Sequence, residues 1–216
     1  LEVLISDLLD ISRIQAGRIS LRNSEVNIVP LCQRVVRLVQ QRADQEYPER
    51  YKLACNLPPD LPFIWADADR LRQILTNLLE NAVKYSPSGG LIEVLASTSE
   101  HQTAGSVSDV APSESEGVVG SQMYITVRDQ GIGIAQEQFS ELFKPFARLE
   151  HPLTADIPGV GLGLFISRKL VEAMGGEMSL SSNAGVGTSV TFTVPVQTSH
   201  TTLQPAFVPI AALTTL

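Results

Sequence analysis

The densest apolar periodicity in the chain runs from Leu71 to Val83. Leu71, Ile74, Leu75, Leu78, Leu79, Ala82 and Val83 fall at the spacing of one helix face, which predicts a helix that Asp69 starts and that carries "NLLENAVKYS", residues 77–86. The same period in Ile28, Leu31, Val35, Leu38 and Val39 predicts an amphipathic helix over 28–46, and "LGLFISRKLVEAMGG" predicts a third, closed by Gly175 and Gly176. A short helix is expected within "IGIAQEQFSELF", followed by irregular chain to about Gly159. At the start, Leu1, Leu4, Leu8 and Ile11 repeat near the 3.5-residue spacing of a helix packed on other helices, and the pattern stops at Gly17. It reads as the end of a longer coiled-coil or bundle helix, with an N-terminal helix docked on its own domain an equal alternative.

Alternation marks "LIEVLAST" and "MYITVRD" as strands, and "YKLACNL" and "PFIWAD" as shorter ones around the turn "PPDLP". "EMSLSS", a Gly-rich turn and "TSVTFTVPV" make a closing hairpin. Residues 99–122 are rich in Ser, Gly, Ala and acid and read as a disordered insertion joining two adjacent strands; 197–216 read as a loose tail. Helices and strands do not alternate as in a doubly wound parallel sheet. The order predicts an α/β two-layer sandwich, a mixed sheet covered on one face by helices.

Composition narrows the function. At 216 residues the chain is long enough for one substantial domain, and 44% hydrophobic with 18% charged residues fits a globular protein. A net charge of −7 argues against nucleic acid or an anionic membrane surface as the main partner. No apolar run is long enough to span a membrane, and the acidic start lacks the basic region of a signal peptide. Cys32 and Cys55 have no C-x-x-C context; they read as reduced thiols, with a disulfide left open.

The candidate chemistry lies opposite the leucine stripe. Asn77, Glu80, Asn81 and Lys84 share an arc of about 100°, with Tyr85 at its edge. Lys and Glu alone would make an ordinary solvated face. Asn is a poor helix former because its amide competes for backbone hydrogen bonds, so two of them one turn apart point to a compensating use. Amide oxygens are hard neutral ligands suited to Mg²⁺ completed by phosphates. Lys84 can meet a phosphate as a point charge, and Tyr85 can stack on a base. In "DQGIGI", Asp129 ends a strand and can accept from an exocyclic amine, while Gly131 and Gly133 let a flat ring approach; a common Asp-Gly turn is the plainer reading. In "GVGLGL", Gly159, Gly161 and Gly163 can turn amides toward an anion at a helix N-terminus. "GVGTS", with Gly185, Gly187 and Thr188, is mainly a turn, Thr188 being a candidate for a water-mediated contact. No Walker-type loop, zinc motif or G-x-S-x-G turn is present, and His101, His151 and His200 lack ligand spacing.

Taken in order, "NLLENAVKYS", "DQGIGI", "FKPF" and "GVGLGL" resemble the N box, first glycine box, F box and second glycine box of the ATP-binding catalytic domain of bacterial sensor histidine kinases, in the GHKL ATPase superfamily. The likeness covers roughly residues 25–196, and "DLLDISRIQAGRISL" is similar to the end of a second dimerisation helix. The resemblance implies a Bergerat-type fold with ATP and Mg²⁺ as ligands. It divides the chain into a dimerisation-helix end and linker over 1–20, a catalytic domain over 21–196 and the tail. It implies that Asn81 ligates the metal, with Asn77 supporting the site. Lys84 would meet the phosphates, Tyr85 the adenine and Asp129 the adenine amine, beside Gly131 and Gly133. Gly159, Gly161 and Gly163, with Leu164, would serve the phosphates; Phe143 and Phe146 would pack the ATP lid, and Arg148 is a further phosphate contact.

The implied reaction passes the γ-phosphoryl to a histidine on the first dimerisation helix, then to an aspartate of a response regulator receiver domain. The implied parent is a homodimer working in the cytoplasm, its membrane anchorage left open. That acceptor histidine, normally followed by an acid on a helix, has no counterpart in His101, His151 or His200, so ATP binding without autophosphorylation is expected. Two other readings compete. GHKL members that hydrolyse ATP activate water with a glutamate four residues before the metal asparagine, where this chain has Asn77; Glu80 is a poor substitute. A non-catalytic nucleotide-binding or docking module is the third.

Overall fold

The computed structural model describes residues 2–98, 121–147 and 160–196. The chain runs through α1 (Glu2–Gln15), β1 (Ser24–Val26), α2 (Ile28–Glu46), β2 (Tyr51–Asn56), β3 (Ile64–Ala66), α3 (Ala68–Lys84), β4 (Gly90–Thr98) and β5 (Gln122–Arg128). A 3₁₀ turn (Gln136–Gln138) leads into α4 (Phe139–Leu142), then α5 (Gly163–Ala173), β6 (Met178–Asn183) and β7 (Gly187–Pro195). Five strands form a mixed sheet in the order β2-β4-β5-β7-β6, with β2 and β4 parallel and the other pairs antiparallel.

Alternation along the strands separates two faces. Ala96, Ile125, Phe192 and Met178 are cross-strand partners in one rung, pointing into the core with Ile92, Val94, Met123, Val127 and Val194. The next rung, Leu95, Thr126, Thr191 and Ser179, faces the other way, and the Thr126 and Thr191 hydroxyls lie 2.8 Å apart. Helices α2, α3 and α5 pack on the apolar face only, which makes the expected two-layer sandwich. The α3 stripe is the centre of that layer, with Leu71, Ile74, Leu75 and Leu79 fully buried.

The structure revises four details. First, α3 starts at Ala68 and is capped by Asp67, whose Oδ1 accepts from the amides of Asp69 (3.0 Å) and Arg70 (3.2 Å). Second, the strands around "PPDLP" do not pair with each other. β2 joins the main sheet beside β4, with α3 in the parallel crossover. β3 instead pairs with β1, a three-residue strand too short to carry a period, and Ile64 bridges to Val196. Third, Gln122 already belongs to β5; the rest of the expected insertion that is not described, 99–120, lies outside the described residues, as does the 197–216 tail. Fourth, α1 docks on its own domain through part of its surface. Asp10 and Ile11 are buried against the domain, while Leu8 (54%) and Leu9 (53%) stay exposed. Arg70 Nη1 reaches both Asp10 oxygens (3.2 and 3.1 Å), and Gln73 Nε2 donates to Asp10 Oδ2 at 2.9 Å.

Asp67 also joins the segment after α1 to α3, because its Oδ2 accepts from the Arg22 amide at 2.8 Å. Burial alone would raise its carboxyl. The three backbone donors and the Arg70 charge outweigh that and hold it below the ordinary 3.8. With a depressed native pKa, the stabilisation is present above the unfolded value and fades as pH falls through the native one. Asp67→Ala is therefore expected to lower stability by about 1–2 kcal/mol at pH 7. In urea unfolding the gap from the parent should narrow once pH drops below 3.8; a gap independent of pH would show that the carboxylate charge contributes nothing.

Candidate functional site

The leucine stripe holds α3 against the sheet and leaves its opposite arc to face α5 and the β5 end. Asn77, Asn81, Lys84 and Tyr85 are all half-buried there. Asn77 Nδ2 donates to Ser167 Oγ on α5 at 2.9 Å, and Asn81 Nδ2 approaches Asn77 Oδ1 at 3.4 Å, a weak hydrogen bond. Gly163, at the start of α5, lies so close to the Asn77 amide that an added Cβ would overlap its oxygen. Lys84 Nζ stands 5.1 Å from the centroid of the Tyr85 ring, within cation–π range. Glu80 turns the other way: its Oε1 pairs with Arg42 Nη1 of α2 at 2.7 Å on the surface.

The turn after β5 closes against the end of α3. Asp129 Oδ1 accepts from the amides of Gly131 (2.8 Å) and Thr188 (3.1 Å), and the Asp129 amide donates to the Thr188 carbonyl at 2.8 Å. Burial raises the Asp129 carboxyl above its ordinary value, and the two amides offset this only in part. The Ile132 amide donates to the Tyr85 carbonyl at 3.0 Å, which fixes this turn to the α3 C-cap. Gly131 has no room for a side chain: a Cβ would overlap the Tyr85 carbonyl and meet Ser86 Oγ at 2.7 Å. Gly133, at φ +63, likewise abuts the Asn183 backbone. The immediate neighbours of these glycines are thus other turns of the protein. Ser86 is buried beside Gly131, and its hydroxyl has no hydrogen-bond partner among the described residues. The Thr188 hydroxyl lies 2.9 Å from Ser182 Oγ.

Phe143 is half-buried against the core, with the Arg168 guanidinium 4.8 Å above its ring. Phe146 is 59% exposed at φ +63, because the backbone turns there and carries the ring outward. Gly161 lies against the backbone of Phe146 and Ala147, so the chain before residue 148 and the chain after 159 come together. Arg148 and Gly159 lie outside the described residues. The N-cap of α5, Leu162, makes no side-chain cap, and half-buried Leu164 packs on the core from the first turn. The first amides of that helix are therefore not claimed by a capping side chain, as anion binding at a helix start requires.

The structure thus gathers Asn77, Asn81 and Gly163 on one side, and Tyr85, Gly131, Asp129 and Thr188 on the other. Sequence reasoning missed Ser167 and Ser86. Ser167 had a signal, since it interrupts the apolar face formed by Ile166, Leu170 and Val171. Ser86 had none, because it lies past the end of the helix. Among the described residues no group of three His, Cys, Asp or Glu could hold a metal alone.

The family model described as histidine kinase-, DNA gyrase B-, and HSP90-like ATPase matches residues 66–198. The non-motile and phage-resistance protein of Caulobacter vibrioides is 34% identical over 205 residues, 95% of this chain and 22% of its own length. The adaptive-response sensory kinase SasA of Synechococcus elongatus is 33% identical over 196 residues, 91% of this chain and 44% of its own. The sensor histidine kinase WalK of Bacillus subtilis is 30% identical over 192 residues, 89% and 28%. The chain therefore spans less than half the length of these curated relatives. Full-length ShkA, solved in complex with AMPPNP, superposes with a TM-score of 0.70 at 29% identity, over 91% of this chain and 36% of that one. The catalytic domain of histidine kinase ThkA shares the fold, with a TM-score of 0.60 at 22% identity over 81% and 96%.

The raised Asp129 carboxyl has a cost in the unliganded protein. A carboxyl whose native pKa is raised stabilises the fold below its unfolded value, and that contribution is lost as pH rises through the native one. Asp129→Asn keeps one oxygen for the Gly131 and Thr188 amides while removing the buried charge. It is expected to unfold at higher urea concentration than the parent at pH 7, with the advantage shrinking as pH approaches 3.8. Lower stability of the variant at pH 7 would show that the charge is favourable where it stands.

Proposed function

The chain belongs to the family of histidine kinase-, DNA gyrase B-, and HSP90-like ATPases, and we propose that it is the ATP-binding catalytic module of a two-component sensor histidine kinase. On this reading it supplies the γ-phosphoryl of Mg-ATP to a histidine on a dimerisation helix. The observation that carries it is the pair of amides on α3. Asn77 stands where water-activating members of the superfamily would carry a glutamate, and it is hydrogen-bonded to Ser167 rather than aimed as a base. Glu80 is engaged with Arg42 on the far side. With no carboxylate of α3 set to deprotonate water among the described residues, this arrangement favours transfer to a protein acceptor over hydrolysis.

The purine end of the nucleotide fits the Asp129 turn. One carboxylate oxygen is held by two amides, which leaves the other to accept from an exocyclic amine, and the Ser86 hydroxyl lies beside Gly131 as a further polar group. Tyr85 offers its ring to the base. The α5 start and Lys84 supply donors and charge for the phosphates. The donor set also fits Mg²⁺: a neutral amide oxygen from Asn81, with no carboxylate cage among the described residues, suits an ion completed by phosphate oxygens and water. When bound, that ion neutralises charge on the triphosphate. The chain's own residues bind, orient and shield it. The partners on this reading are the dimerisation and phospho-acceptor domain of a dimeric parent and a response regulator receiver domain. No helix among the described residues is long and apolar enough to cross a membrane.

Calorimetry with Mg²⁺ and a nonhydrolysable ATP analogue should show binding that Asn81→Ala abolishes. Asp129→Asn should weaken adenine nucleotides about 10–100-fold, the worth of one hydrogen bond to a charged group. Because His101, His151 and His200 lack the acceptor context, labelled phosphate should reach a histidine of an added dimerisation domain and not this chain. Rapid ATP hydrolysis by the chain alone, lost in Glu80→Gln, would instead establish a hydrolase.

A further inference from the structure

We infer that Ser167 is a positioning residue that anchors the Asn77–Asn81 amide pair and so holds the Asn81 carboxamide toward the metal side of the site; this rests on the function proposed above. A carboxamide has two ends of nearly equal shape and opposite chemistry. The oxygen can ligate a hard cation, whereas the NH₂ can only donate. An asparagine on a half-open helix face can turn either end outward, so a fixed neighbour is needed to hold it.

Three contacts do so. Ser167 is 2% exposed, so water does not compete for its hydroxyl. Its Oγ accepts from Asn77 Nδ2 at 2.9 Å, which turns Asn77 Oδ1 toward Asn81. Asn81 Nδ2 then lies 3.4 Å from that oxygen, and the Asn81 oxygen is left for the other direction. The second bond is too long to hold an amide in place by itself, so the pair is anchored at its buried Ser167 end. The third contact is steric: Gly163 sits against the Asn77 amide, where any side chain would displace it. Ser167 itself occupies an apolar position of α5, between Ile166 and Leu170, where a hydroxyl is unfavourable unless it is hydrogen-bonded. Removing that acceptor leaves Asn77 Nδ2 to find another. With the pair untied, the Asn81 amide is free to turn its NH₂ toward the cation.

The test compares affinity for a nonhydrolysable ATP analogue in Mg²⁺ and in EDTA, by calorimetry, for the parent, Ser167→Ala, Ser167→Thr and Asn81→Ala. Alanine is a better helix former than serine, and circular dichroism checks that the variant is folded. Ser167→Ala is expected to lose about tenfold more affinity in Mg²⁺ than in EDTA, the size typical of groups that orient metal ligands. Ser167→Thr, which keeps the hydroxyl, should restore the Mg²⁺ enhancement, and Asn81→Ala marks its complete loss. Equal losses in both media would assign Ser167 a packing role only and overturn the inference, as would an undiminished enhancement in Ser167→Ala. No Mg²⁺ enhancement in the parent would overturn the proposed function itself, a separate outcome.

Discussion

The burial of the α3 leucine stripe is the constraint on which the site depends. Leu71, Ile74, Leu75 and Leu79 are fully excluded from water between the sheet and α2, so the rotation of this helix about its axis is not free. Turning it by a single residue, about 100°, would expose that stripe. Each such side chain left in water forfeits about 1.5–3 kcal/mol of burial. Once the stripe is fixed, the arc of Asn77, Asn81 and Lys84 must lie on the other side of α3, where Asn77 meets α5 and the helix end meets the turn after β5. The polar arc is thus positioned by the apolar residues on the opposite side of the helix.

Around that helix, close backbone approach does the rest. Gly163 lets α5 reach the Asn77 amide, and Gly131 lets the turn after β5 reach the Tyr85 carbonyl. A side chain at either would separate elements whose contact defines the two ends of the site. Asn77 and the end of α3 are thereby held against α5 and the Asp129 turn by glycines far apart in sequence.

Two aspartates show how environment sets chemistry. Asp67 and Asp129 both accept backbone hydrogen bonds, yet their carboxyls shift in opposite directions. Asp67 engages three amides through both oxygens and sits beside the Arg70 charge, so its ionised form is favoured. Asp129 receives both of its amides on one oxygen and has no cation among the causes of its shift, so burial prevails. The first is spent on the fold. The second keeps one oxygen clear of these amides.

Periodicity alone determined the helix over 28–46, the strand pairs at β4–β5 and β6–β7, the mixed sheet with helices on one face, and the polar arc of α3. The order of the four motifs pointed to the family before any coordinates. Local signals suffice for these, because the 3.6- and 2-residue periods are properties of neighbouring positions. Tertiary structure decided what period cannot encode: that "YKLACNL" and "PFIWAD" go to different sheets, that Asp67 rather than Asp69 opens α3, and that Glu80 is engaged by Arg42. It also decided that Asn77 meets Ser167, 90 residues away. A side chain's partner depends on which distant segments the packed core brings together, and no local pattern carries that information.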